Sequence, residues 1–177
     1  MSNILLISGS PSAHSRSDLV LHAAGNRLSH DTAYVSVQDV PAADLAGTNF
    51  NSTEIQHIQR QIQEADGIII ASPVYKAAYS GVLKALLDLL PSDAFRDKPV
   101  LPLMTGGSAN HLLALEYSFK PLLAALKGQT LQGVYIIDDK IDKTQPHAPI
   151  TDEELSARLD RQLSELTAAI ASRKVLL

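Results

Sequence analysis

The sequence predicts an α/β protein in which helices cover both faces of a parallel sheet, giving three layers. Apolar runs typical of strands alternate with helical segments along the chain, which is the pattern of a parallel sheet. GIIIASP at 67–73 is apolar and rich in β-branched residues, as expected of a strand buried on both faces. Five such runs favour a five-stranded sheet with the spatial order 2-1-3-4-5.

The first half of the chain is expected to supply three strands and two helices. The apolar run at 4–8 predicts a buried strand, and SDLVLHAAGNRL at 17–28 has helical periodicity. TAYVSV at 32–37 predicts the second strand. A helix at 51–65 begins with an Asn and a Glu at capping-box spacing, and the strand at 67–73 follows it.

The second half continues the alternation. A helix is expected at 81–91, GVLKALLDLLP, and it should end at its proline. A strand that ends in glycines is expected at 99–107, PVLPLMTGG. A long helix is expected at 110–128 and a fifth strand, TLQGVYIID, at 130–138. A polar, proline-bearing loop then leads to a helix at 151–171, which begins with a Thr and a Glu at capping-box spacing.

Composition excludes several classes of function. The 177 residues are expected to form one domain, 1–177, with a net charge of −4 that predicts neither a nucleic-acid nor a membrane partner. The absence of cysteine excludes disulfides, thiolate nucleophiles and iron–sulfur clusters. Residues 1–3 carry no positive side chain, and the apolar run after them is too short for a signal peptide, so we expect a cytoplasmic protein.

Three loops should meet at one edge of the sheet, because ligands of such folds bind outside the carboxyl ends of the strands. They are SPSAHSRS at 10–17, SPVYKAAYSG at 72–81 and TGGSANH at 105–111, which follow strands one, three and four. We expect the ligand site where these loops meet.

The first loop has the residues of a site for one phosphate. Ser10, Ser15 and Ser17 supply hydroxyl donors, Arg16 supplies a planar cation, and the following helix presents unpaired N–H groups. The patterns GxxxxGK[ST] and GxGxxG are absent, so a triphosphate or a dinucleotide pyrophosphate is not expected here. Taken alone, the loop fits equally well a set of helix caps with a solvated arginine.

The other two loops suit a flat ring system. Pro73, Val74 and Tyr75 follow the buried third strand and could contact a planar, largely apolar ligand. In the third loop a glycine pair permits close approach, and the N–H groups of Thr105–Ser108 could face developing negative charge. Each of these loops, taken alone, is more simply an ordinary turn, whereas the three together specify a site.

Other chemistries have weaker support. The six histidines lack the spacing of a metal site, and the serines of the first loop lack a GxSxG motif. Asp138, Asp139 and Asp142 are expected to form a solvated turn.

Three stretches carry a family resemblance: GSPSAHSRS, ADGIIIASPVYKAAYSGVLKALLDLLP and PVLPLMTGGSANHLLALEYSFKPLLAALKG. With the strand that follows, they cover most of residues 4–137. The chain resembles the NAD(P)H-dependent FMN reductases of the flavodoxin-like superfamily. It is most similar to the reductase component of alkanesulfonate monooxygenase systems.

The resemblance implies a flavodoxin-like fold, FMN and NADPH as ligands, and hydride transfer from the nicotinamide to the flavin. It also implies a flavin-dependent monooxygenase that receives the reduced flavin, and it names no catalytic side chain. The phosphate would be held by Ser10, Ser15, Arg16 and Ser17. The isoalloxazine would be flanked by Pro73, Val74, Tyr75, Lys76, Thr105, Gly106, Gly107 and Ser108.

Three alternatives stay open. The chain could be a quinone, azo-dye or metal-ion reductase that retains its FMN. It could be a flavodoxin-type electron carrier, although those proteins usually have a stronger acidic excess than −4. It could also be an α/β domain that binds a sugar phosphate.

Two helices predict a homodimer or homotetramer. The helix at 81–91 carries only Lys84 and Asp88 as charged residues, and the helix at 110–126 is largely apolar. One side of a sheet cannot cover that much apolar surface.

We also expect a π-bulge at Tyr117. Pro121 cannot donate to the carbonyl of Tyr117 and crowds it, and one extra residue in the turn would relieve this. The related reductases have a tyrosine in the matching helix that makes a π-helix at a subunit interface. The alternative is a simple proline kink.

Overall fold

Parallel strands form the centre of the computed structural model, which describes residues 3–176. Met1 and Ser2, on which the expected absence of a signal peptide partly rests, lie outside the described residues. The strands are β1 (Asn3–Ser8), β2 (Asp31–Ser36), β3 (Gly67–Pro73), β4 (Pro99–Gly106), β5 (Gln129–Thr130) and β6 (Val134–Ile137). Their order is β2-β1-β3-β4-β5, with β6 also paired to β4, which confirms the expected topology.

The expected fifth strand is interrupted, so the sheet has six strand segments. β5 pairs with the start of β4 at Pro99 and Val100, whereas β6 pairs with its end, from Leu103 to Gly106. Gly133 breaks the strand, because its φ of +80° suits glycine and is rarely adopted by other residues. Its N–H donates instead to the buried side chain of Gln162, at 2.9 Å.

Helices cover both faces of the sheet, as expected. They are α1 (Arg16–Asn26), α2 (Ala42–Ala46), α3 (Thr53–Glu64), α4 (Gly81–Asp88), α5 (Lys120–Ala125) and α6 (Glu153–Leu176). α1 and α6 pack on the face that carries Ile4 and Leu6, whereas α3, α4 and α5 pack on the face that carries Leu5 and Ile7. This alternation along β1 follows from the two-residue period of a strand.

Both expected capping boxes were wrong in detail. α3 begins at Thr53, and the hydroxyl of Ser52 bonds the side chain of Glu54 at 3.1 Å instead of capping a backbone N–H. α6 begins at Glu153, where Asp152 accepts from the N–H of Leu155 at 3.0 Å. Asp152 therefore caps α6 with its side chain, whereas Ser52 occupies the N-cap position of α3 without a side-chain cap.

The helix expected at 110–128 is three helical pieces. A 3-10 turn at Ala109–Leu112 precedes a π-helix at Leu115–Phe119, which continues into α5. The N–H of Lys120 donates to the carbonyl of Leu115, five residues back. The expected π-bulge at Tyr117 is therefore confirmed, just before the proline that cannot donate.

No helix within residues 3–176 is both long enough and apolar enough to cross a membrane.

Candidate functional site

The first loop leads directly into the N-terminus of α1. Ser15 caps this helix by accepting from the N–H of Asp18 at 3.1 Å, and its hydroxyl lies 3.2 Å from that of Ser17. The first N–H groups of a helix have no partner within the helix and favour an anion. Both hydroxyls therefore stand where an anion would bind.

Arg16 has an unsatisfied donor at the same place. Its Nε is buried and has no hydrogen-bond partner among residues 3–176. A buried donor without a partner costs free energy, which a bound anion could recover. The residues present therefore fit a phosphate group.

Ser10, also expected at the phosphate, does not line the cavity that these residues form. It is fully buried, and its hydroxyl bonds the backbone N–H and carbonyl of Ser12, each at 3.2 Å. In this structure Ser10 shapes the loop.

The second loop is joined to the first through Ser80. Its hydroxyl donates to the carbonyl of Gly9, and its N–H donates to the hydroxyl of Ser72 at 2.9 Å. Because both groups of Ser80 are buried, these bonds hold the ends of two ligand-facing loops together.

A tight turn lies at the tip of the second loop. Tyr75 and Ala78 exchange backbone hydrogen bonds of 2.8 and 3.1 Å. Between them Lys76 and Ala77 have φ angles of 50° and 63°, which residues other than glycine seldom adopt. The turn presents Tyr75 to the cavity and leaves Lys76 exposed outside it.

The third loop packs closely on the second. The N–H of Val74 donates to the carbonyl of Thr105 at 2.7 Å. A Cβ on Gly106 would lie 2.7 Å from the Tyr135 hydroxyl, which itself donates to the Ser108 carbonyl at 2.6 Å. Only glycine fits at position 106 without displacing a neighbour. Ser108 caps the following 3-10 turn and does not line the cavity.

The three loops enclose a cavity of about 280 Å³. Its lining includes nine of the expected residues, namely Ser15, Arg16, Ser17, Pro73, Val74, Tyr75, Thr105, Gly106 and Gly107. Ser12, Asp138 and Lys143 also line it and were not expected. Asp138 immediately follows the last strand, so the rule that ligands bind at the carboxyl ends of strands could have identified it.

Two positively charged side chains and one carboxylate line the cavity. Arg16 and Lys143 carry positive charge, and Asp138 carries negative charge near Gly107. Burial, reinforced by the charge of Asp138, raises the pKa of Tyr135, so its hydroxyl stays protonated and continues to donate to Ser108. The cavity thus has positively charged side chains beside the N-terminus of α1 and walls that are tied together by hydrogen bonds.

Comparison with known proteins agrees with this geometry. The family model described as NADPH-dependent FMN reductase matches residues 2–142. An FMN reductase (NADPH) of Pseudomonas putida is 42% identical over 177 residues, covering 96% of this chain and 89% of that protein.

Two solved structures agree on the fold. An NADH:FMN oxidoreductase in its apo form superposes with a TM-score of 0.80 at 30% identity, covering 94% of this chain and 88% of that one. A flavodoxin from the domain Archaea, at 11% identity, superposes with a TM-score of 0.62 over 96% of this chain and 99% of its own. The flavodoxin-like fold is therefore confirmed, and with the family match the chain belongs to the NADPH-dependent FMN reductase family.

Proposed function

We propose that this protein transfers a hydride from NADPH to FMN in the cytoplasm and releases the reduced flavin to a flavin-dependent monooxygenase. The observation that carries the proposal is the buried, unpartnered Nε of Arg16 at the N-terminus of α1. That donor calls for an anionic group, and the adjoining loops suit a flat ring. The monooxygenase partner rests on the resemblance to alkanesulfonate systems.

In this proposal the two ends of the cavity have different tasks. Ser15, Arg16 and Ser17 hold the phosphate of FMN, with Ser10 shaping the loop beneath them. Pro73–Tyr75 and Thr105–Gly107, the residues of the second and third loops that line the cavity, flank the ring. When bound, the flavin supplies the atom that accepts the hydride, so no side chain is required as a general acid or base.

The contribution of the chain itself is to hold a rigid site in place. The Ser80 bonds join the first and second loops, and the Val74–Thr105 bond joins the second and third. Walls fixed before the ligand arrives reduce the ordering cost of binding.

We further propose that residues 1–177 form a single domain. Two or four copies of this chain then assemble into a homodimer or a homotetramer. Large apolar side chains are exposed in the second loop and in the segment after the third: Tyr75 is 47% exposed, Leu113 58% and Tyr117 79%. Exposed apolar side chains of this size favour contact with another copy.

The test is to follow the loss of reduced nicotinamide absorbance with NADPH while free FMN is increased. Turnover that rises and saturates with free FMN supports the proposal. A turnover rate that does not change with the concentration of free FMN, and that depends on a quinone or azo dye, would instead support a reductase that retains its flavin. A protein that binds FMN but oxidises no NADPH would support an electron carrier.

A further inference from the structure

A second, larger cavity lies beside the first. It has a volume of about 560 Å³, within the range of ligand pockets, and includes His14, Asp18, Tyr34 and Asp39 in its lining. Lys143 lines both cavities, so the two are neighbours at the same edge of the sheet. One ligand could therefore extend from one to the other past Lys143.

An aromatic pair forms one wall of this second cavity. The rings of His22 and Tyr34 stack with their centres 4.6 Å apart and their planes 21° apart. The Tyr34 hydroxyl donates to Asp18 at 2.6 Å, which holds the ring in position. Burial, together with this bond, raises the pKa of Tyr34 to about 12, so the donor keeps its proton. The wall suits a flat heteroaromatic group.

The charges indicate which part of a ligand would lie there. The cavity contains the carboxylates of Asp18 and Asp39, and Asp39 also accepts from the N–H of Ser36 at 2.7 Å. Carboxylates repel phosphates but accept hydrogen bonds from an exocyclic amino group. The base of a nucleotide therefore fits the interior, and its phosphates fit the border beside Lys143.

We propose that the second cavity binds the adenosine end of NADPH, with the adenine against the His22–Tyr34 wall and the phosphates near Lys143. This inference rests on the proposed function, since it assigns the part of NADPH that takes no part in hydride transfer. The nicotinamide end would then reach the first cavity.

A titration without any nicotinamide tests the site directly. By calorimetry, 2′,5′-ADP should bind the FMN-loaded protein, and His22→Ala and Tyr34→Ala should each weaken binding about tenfold, as expected for loss of one stacking contact. His30→Ala is the matched control, because His30 lies just before the first residue of β2, whereas the cavity lies at the carboxyl end of that strand. Unchanged FMN affinity in each variant shows that the fold is intact. No binding of 2′,5′-ADP, or equal binding by all variants, would overturn the inference.

Steady-state kinetics separates this inference from the proposed function. Reduced nicotinamide mononucleotide lacks the adenosine end, so the ratio of kcat/KM for NADPH to that for the mononucleotide should fall about tenfold in His22→Ala and Tyr34→Ala. An unchanged ratio would contradict the site. If the unaltered protein oxidises neither donor, the proposed function is wrong, and the 2′,5′-ADP titration still decides whether the cavity binds an adenine nucleotide.

Discussion

Arg16 is the residue on which the proposed phosphate site chiefly rests. Its Nε is removed from water without gaining a partner among residues 3–176, which typically costs about 1–3 kcal/mol. Ser15 caps α1 and Arg16 is the first residue of that helix, so the local backbone fixes where the guanidinium emerges. An anion bound at this place would offset that cost.

We expect Arg16→Glu to abolish FMN binding while the protein stays folded. The change removes a cation and adds a like charge beside the phosphate, a loss of several kcal/mol of affinity, about 2–5. Flavin fluorescence titration measures the affinity, and circular dichroism checks the fold. Arg96→Glu is the control, because Arg96 is an exposed residue paired with Asp93 before β4 begins. Wild-type FMN affinity in the Arg16 variant would refute the phosphate assignment.

Gly106 permits a second test at this scale. Gly106→Ala would place a methyl group 2.7 Å from the buried Tyr135 hydroxyl and 3.3 Å from Val74. We expect a loss of about 1–3 kcal/mol in the free energy of unfolding and weaker FMN binding, because the third loop must shift.

The control for this change is Gly81→Ala, since a Cβ there meets no atom within 4 Å. It should leave stability unchanged or raise it by less than about 1 kcal/mol. Urea unfolding compares the two variants, and equal stabilities would show that the contact at Gly106 does not matter.

Among the elements, the π-helix at Leu115–Phe119 presents its side chains in very different environments. Phe119 is fully buried and lies against Tyr79, with ring centres 5.9 Å apart, whereas Tyr117 is 79% exposed. Because the π-helix has an extra residue in its turn, the directions of its side chains are rotated relative to those of a continuous α-helix leading into α5. Tyr117 therefore faces outward between Leu115 and Phe119, which are both buried.

We expect Tyr117→Ala to change oligomeric state or flavin release while unfolding stability changes by less than about 0.5 kcal/mol. Phe119→Ala, two residues away, should cost about 3–5 kcal/mol because it opens a cavity in the core. Thermal unfolding and light scattering together separate the two roles. A Tyr117 variant with lower stability and unchanged assembly would contradict this expectation.

For the whole molecule, the proposed assembly makes its own prediction. Leu113→Asp should dissociate the proposed oligomer at micromolar concentration, because it adds a charge to an exposed apolar side chain at the proposed interface. Phe50→Asp is the control, since Phe50 is also exposed but belongs to the segment before α3. Sedimentation velocity reports the mass, and a wild-type chain that is monomeric would refute the assembly.

The sequence by itself determined the layered fold and the chemical character of the first loop. Strand runs such as 67–73 and the alternation with helices depend on residues close together in the chain, and so does the conflict between Pro121 and the carbonyl of Tyr117. The alternation favours one strand order, which the structure confirms. The conflict at Pro121 left two local solutions, a π-bulge or a proline kink, and the structure shows the π-helix.

Only the tertiary structure decided which side chains share a cavity. Asp138 directly follows the last strand and could have been expected at this edge, whereas Lys143 lies in the loop beyond it, where no local pattern reveals that it lines the cavity. Ser10 lies outside the cavity, with its hydroxyl bonded within its own loop, and the N–H of Gly133, at the break in the last strand, donates to Gln162 on α6. These outcomes depend on contacts between residues far apart in the chain, which exist only once the sheet and its helices have packed.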